Sequence, residues 1–152
     1  MPNHQGIASG LWTYRSLLNN PDLSASFDSL EFGRANLYIE VGDNGVLTGK
    51  IYDTGWELQL NGSIQYGSPA TLWFQGSGTV GGAPWVYDYL CYVVPHIPNG
   101  KDQVPALAGS VTRAIAHPGS KGKTSPAGVV ATFYAVKQTP KPSKAAKKSA
   151  KK

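Results

Sequence analysis

Apolar and polar residues alternate strictly over several stretches of this chain. Trp56, Leu58, Leu60 and Ile64 form one apolar row, while Glu57, Gln59, Asn61, Ser63 and Gln65 form a wholly polar one. A period of two sends successive side chains to opposite faces of an extended backbone, so this segment reads as a half-buried strand rather than a helix. Ala35, Leu37, Ile39 and Val41 alternate likewise with Asn36, Tyr38 and Glu40, and the following Asp43-Asn44-Gly45 offers the positive φ angles of a tight hairpin. The same rule predicts strands near 10–18, 35–42, 46–53, 56–66, 70–78, 85–94, 106–116 and 127–137. Turn chemistry separates them: Asp53-Thr54-Gly55, Tyr66-Gly67-Ser68-Pro69, Gly81-Gly82-Ala83-Pro84, and the longer connections from Pro95 to Pro105 and His117 to Pro126. Residues 19–34 lack the alternation and read as an irregular crossing or one helical turn.

Eight successive strands with short links and no intervening helix predict an antiparallel meander. Left open, such a sheet exposes two edges of unpaired backbone, and closure removes both. The expected fold class is therefore all-β, an eight-stranded antiparallel up-and-down barrel. A two-sheet sandwich is the weaker alternative, because it needs long crossovers where this chain has hairpins. Closure at eight strands leaves an interior that side chains just fill, or that holds one small ligand. Gly49, Gly62, Gly76, Gly78, Gly109 and Gly128 fall inside the predicted strands, where glycine marks bends, bulges or close backbone approach. Strongly coiled strands in a small barrel need such sites.

Composition refines this picture. With 41% hydrophobic and 15% charged residues, 18 Gly and 11 Pro, the chain has apolar matter for a core and too much punctuation for a helical bundle. The net charge of +5 suggests nucleic acid at first sight, yet it is confined to one end. Residues 139–152 hold six Lys and no acid, whereas residues 1–138 set eight basic residues against nine acids, a balance of −1. We therefore read 1–138 as the barrel domain and 139–152 as a disordered basic tail, with too little apolar area to offset its ordering entropy. The tail is suited to weak contact with a polyanion, lost steeply with salt. The barrel segment lacks the interleaved basic and aromatic face of a nucleic-acid binder. One Cys, Cys91, excludes an internal disulfide. The opening MPNHQG lacks the basic and apolar stretch of a secretory signal, so the expected compartment is the cytoplasm. No window approaches a membrane-spanning helix, and no membrane insertion is expected.

Three motifs resemble those of the calycins, the lipocalin and avidin group of ligand-binding barrels. Gly10-Leu11-Trp12 resembles the G-x-W that opens the first lipocalin strand, and Asp88-Tyr89-Leu90-Cys91-Tyr92 resembles the D-Y-x-x-Y of the second lipocalin motif. Arg113 resembles the late Arg that covers the opening Trp. The short meander without a C-terminal helix looks more like an avidin. The resemblance implies a closed barrel with a pocket, and it carries over no ligand.

Candidate chemistry gathers in segment 85–96. One face holds Trp85, Tyr87, Tyr89 and Cys91, the other Asp88, Tyr92 and His96 among Val86, Leu90 and Val94, and either face can look inward. Inside, Asp88 would be desolvated, which raises a carboxyl pKa and fits an acid or base; with Tyr92 it forms the catalytic pair expected if the protein is an enzyme. Trp12 and Tyr14 share one side of the first strand and suit a plug of large buried area. Arg113 lies between Val111 and Ile115 on its own face, and facing inward it requires a partner, by stacking on Trp12 or pairing with Asp88. His96 and Asn99 sit in a proline-stiffened loop, a sensible rim for recognition. The expected ligand-binding set is thus Trp12, Tyr14, Asp88, Tyr92, His96, Asn99 and Arg113.

No metal or cofactor is expected. His4, His96 and His117 show no ligand spacing, although His96 and His117 end adjacent strands and leave a two-His site open in three dimensions. Phosphate-loop, dinucleotide and nucleophile-elbow motifs are absent. The leading functional reading is a barrel around a small apolar or aromatic molecule, since aromatic walls with few polar groups are what ligand pockets look like. The alternatives are a cofactor-independent isomerase or cyclase using Asp88 and Tyr92, and a structural or oligomeric assembly protein. An outward stripe of Trp73, Trp85 or Tyr38 would favour a homo-oligomer.

Overall fold

Each alternating segment is a strand, and the first strand meets the last. The structure, a computed structural model, describes residues 4–138; the Lys-rich tail expected at 139–152 lies outside the described residues. The strands are β1 (Gly10–Leu18), β2 (Glu31–Val41), β3 (Val46–Asp53), β4 (Trp56–Gln65), β5 (Thr71–Val80), β6 (Ala83–Val94), β7 (Ala106–Arg113) and β10 (Val130–Lys137). They close in the order β1-β10-β7-β6-β5-β4-β3-β2, every pair antiparallel. Tyr14 of β1 stands opposite Ala135 of β10 on one side and Ala35 of β2 on the other. No barrel strand is left with an unpaired edge, which is the physical reason an eight-strand meander curls round.

The β5–β6 hairpin is tighter than expected, with β5 running to Val80 and β6 starting at Ala83, and larger differences fall at the start of β2 and between β7 and β10. β2 begins at Glu31, preceded by a single helical turn, α1 (Phe27–Leu30), whose N-cap Ser26 accepts from the Ser29 N–H at 3.2 Å. β7 ends at Arg113 and β10 begins only at Val130, because residues 114–129 leave the sheet. They build a small ladder of β8 (His117–Pro118) and β9 (Thr124–Ser125) over one barrel end. Gly128 consequently lies in a loop, with φ of 86°. Among the described residues no helix is long and apolar enough to cross a membrane.

The inner rows are Trp12, Tyr14 and Ser16; Leu37, Ile39 and Val41; Leu47 and Ile51; Leu58, Leu60 and Ile64; Leu72 and Phe74; Tyr87, Tyr89, Cys91 and Val93; Leu107 and Val111; and Ala131, Phe133 and Ala135, all buried. Glycine in two of these rows is a packing requirement. A Cβ on Gly62 would collide with the Trp73 carbonyl and Phe74, and one on Gly109 with the Leu90 carbonyl and Cys91, so neighbouring strands coil together only where these rows lack side chains. On the outer face, Trp73 stands opposite Leu90, with Tyr92 and Tyr134 also exposed. Trp85 is absent from this outward stripe because its row faces inward, and Tyr38 is half-buried there, its hydroxyl donating to Glu40.

Candidate functional site

The two ends of the barrel differ. At one, Trp12 is fully buried and its indole Nε1–H donates to the Ala8 carbonyl at 2.9 Å. Lys137 lies over this indole, Nζ 5.0 Å from the ring, and donates to the Ser9 carbonyl. Burial lowers the Lys137 pKa from its ordinary value. This is the role expected of Arg113, and register explains the exchange. Lys137 is the direct β10 partner of Trp12, whereas Arg113 ends β7 at the opposite end of the barrel.

At that opposite end the lumen opens into a cavity of about 240 Å³. Tyr14 and Tyr89 line it from below, Ile51, Leu58 and Val111 at its sides, and Phe32, Trp56, Trp85 and Tyr87 towards the mouth. Beneath it the rings interlock: Phe74 stacks on Tyr89 at 4.9 Å, Phe133 packs on Tyr14 at 5.2 Å, and Tyr14 meets Tyr89 edge-on at 6.0 Å. Burial raises the pKa of both Tyr14 and Tyr89, so each remains a neutral phenol across the ordinary pH range. Cys91, deeper in the same row, has its thiol pushed up to about 12 by burial, which makes it an inert core residue and a poor nucleophile.

A polar chain crosses the mouth. The Arg113 Nε–H donates to the Tyr87 hydroxyl at 3.1 Å, and that oxygen lies 2.6 Å from His117 Nε2. His117 Nδ1 is 3.0 Å from the Pro118 carbonyl, which can only accept, so Nδ1 carries a proton and, in the neutral imidazole, Nε2 accepts from Tyr87. The ring stacks on Trp85 at 3.8 Å with the planes 10° apart. His117 is buried only because residues 114–129 fold back, tied by Ala114 N–H to the Val86 carbonyl at 2.8 Å and by Arg113 Nη1 to the Pro126 carbonyl at 3.0 Å. Arg113 reaches over the Phe32 ring, 5.0 Å from its centre. The Trp85 indole N–H is the one buried side-chain polar atom without a hydrogen-bond partner among the described residues.

Outside the mouth, Glu31 accepts from Arg34 at 2.7 Å and from Arg15 at 3.0 Å, and Arg15 also reaches Asp28 at 2.9 Å. Arg34 first, then Arg15, holds the Glu31 carboxyl below its usual range, against the opposing effect of burial.

Of the residues expected at the site, Tyr14 lines the cavity and Arg113 spans its mouth, while Trp12 seals the far end. Asp88 and Tyr92 face solvent on the outside of β6, where Asp88 accepts from Gln75 at 2.8 Å. Desolvation of Asp88 therefore does not occur, and neither residue points into the lumen. The reason is the alternation itself: Tyr87, Tyr89 and Cys91 pair across β5 with Gly76, Phe74 and Leu72, all inward, which turns the even-numbered positions out. His96 and Asn99 are exposed at the sealed end, His96 beside a separate surface groove of about 370 Å³. His96 and His117 thus lie at opposite ends, and no group of three or more metal-ligating side chains occurs among the described residues.

Phe32, Trp85, Tyr87, Tyr89 and His117 belong to the site and were not among the residues expected there. The odd-numbered face of β6 carried a signal for three of them, whereas Phe32 and His117 depend on chain reversals that periodicity does not record. Comparison with protein-family models, with curated proteins and with solved structures found no match.

Proposed function

We propose that the barrel binds a small, planar, mostly apolar molecule in the cavity at its open mouth. The observation that carries this reading is the cavity itself, an aromatic-walled continuation of the lumen with one set of polar groups gathered at its entrance. Pockets of this make-up, apolar with a few oriented polar groups, are the usual form of small-molecule sites. Size bounds the guest. A cavity of about 150 Å³ holds benzene, so about 240 Å³ suits a molecule of one ring with substituents or two fused rings. The closed eight-stranded barrel is also compatible with the calycin resemblance.

The test is calorimetric titration with 2-naphthalenemethanol, a neutral probe of that size. Wild-type protein is expected to bind with a dissociation constant in about the 10–100 µM range, and Val111→Phe, which fills the cavity wall, is expected to abolish binding while leaving the far-ultraviolet dichroism unchanged. Equal affinity in the variant overturns the reading.

The Arg113–Tyr87–His117 chain favours a second reading, a cofactor-independent isomerase or cyclase in which Tyr87, not Asp88 and Tyr92, exchanges a proton with the guest. Its phenol can pass a proton to His117 Nε2 and take another from an acidic carbon of the guest, with Arg113 stabilising the transient phenolate. Protein-dependent deuterium uptake into the methyl group of 2-acetylnaphthalene in D2O, lost in Tyr87→Phe, would support it; uptake at the buffer rate would exclude it for this class of carbon acid.

A further inference from the structure

The chemistry of the mouth specifies more than an apolar guest. Arg113 occupies the last inward position of β7, one step above Val111 of the cavity wall, and it is half-buried. Its hydrogen bonds go to a phenol and to a backbone carbonyl, both neutral. Arg113 takes no part in the ion pairs Arg15–Asp28, Arg15–Glu31 and Arg34–Glu31 and has no counter-ion among the described residues. Its Nε side is part-buried against Tyr87 and its Nη1 side still reaches solvent, so the guanidinium keeps its charge at the mouth with only cation–π contact from Phe32 and Tyr87 in place of an anion. The cavity wall adds no acid: its only charged residue is Arg34, whose partner Glu31 is shared with Arg15. Arg113 is therefore the cation across the mouth, Arg34 is held by Glu31 on the outer face, and the interior below is uncharged and aromatic.

We infer that the guest is an aromatic carboxylate, its ring among Tyr14, Tyr89 and Trp85 and its carboxylate at the mouth beside Arg113. This rests on the proposed function and specifies its ligand class. The geometry suits the assignment. The forked guanidinium retains N–H groups beyond those given to Tyr87 and Pro126, and a planar carboxylate accepts two of them side by side. Arg113 would also become anchored from both sides, by the guest and by the 114–129 segment through Pro126.

The experiment compares two probes of the same ring system, 2-naphthoate and 2-naphthalenemethanol, by calorimetry at neutral pH and low salt. Wild-type protein is expected to favour the carboxylate at least about tenfold, the difference a charge-assisted hydrogen bond supports, and Arg113→Gln is expected to bring the ratio to within about twofold of unity. If the two probes bind wild type equally, or if Arg113→Gln keeps the preference, the inference is overturned while the cavity reading stands. If neither probe binds, the cavity reading itself fails. Should Arg113→Gln not fold, the wild-type ratio decides alone.

Discussion

Tyr87 has the most to lose from a single-atom change. Its oxygen is the shared partner of Arg113 and His117, both at least half-buried. Removing it in Tyr87→Phe leaves two polar groups without a partner at little cost in packing, and an unsatisfied buried group costs about 1–3 kcal/mol. Urea denaturation is expected to show a loss in that range; a change below about 0.5 kcal/mol would mean that the chain across the mouth does not form. Glu31 gives a pH signature. Its carboxyl pKa is depressed in the folded state, so the stability it contributes is present above the ordinary value of 4.5 and is lost as pH falls through the folded value. The carboxyl 13C titration of Glu31 should have its midpoint below that of an unstructured glutamate, and Glu31→Gln should remove its share of the acid-induced destabilisation; an ordinary midpoint would contradict the Arg34–Glu31–Arg15 arrangement. At this scale the sequence was only half legible. Alternation showed that Tyr87, Tyr89 and Cys91 share a face, but with valines and leucines among the even-numbered positions of β6, both faces look apolar. Only pairing with the β5 row of Leu72, Phe74 and Gly76 settles which is inside.

At the level of strands, closure depends on rows where side chains are missing. Gly62→Ala and Gly109→Ala each place a methyl group against the backbone of the next strand, which cannot move without disturbing its own ladder. Each is expected to destabilise by about 1–3 kcal/mol or more, read from the midpoint of chemical unfolding at unchanged slope. Alanine tolerated without loss at both would contradict the close strand approach. The strands themselves were plain in the sequence wherever one row was apolar and the other polar, as in β4, because half-burial writes a period of two directly into residue choice. The ends of β7 and β10 were not. Ala114-Ile115-Ala116 continues an apolar pattern, yet the chain turns away after Arg113 to build the β8–β9 ladder over the mouth. The start of β2 was hidden differently: Glu31, Phe32 and Gly33 are all half-buried beside a register shift in β1 at Ser16 and Leu17, so they show no alternation to read.

Across the whole molecule, one asymmetry organises the account. The Trp12 end is sealed by Lys137 and the Ala8 carbonyl, while the Arg113 end opens into an aromatic cavity partly covered by residues 114–129. The four tryptophans report on it separately. Trp85 and Trp56 line the cavity, Trp12 lies beneath the sealed end, and Trp73 is 67% exposed on the outer wall. The most direct measurement follows the four indole N–H resonances of 15N-labelled protein during titration with 2-naphthalenemethanol. The resonances of Trp85 and Trp56 are expected to move with one common saturation curve while those of Trp12 and Trp73 stay in place. Movement of Trp73 or Trp12 instead, or no saturable shift at any indole, would contradict a guest-holding cavity at the open end of the barrel.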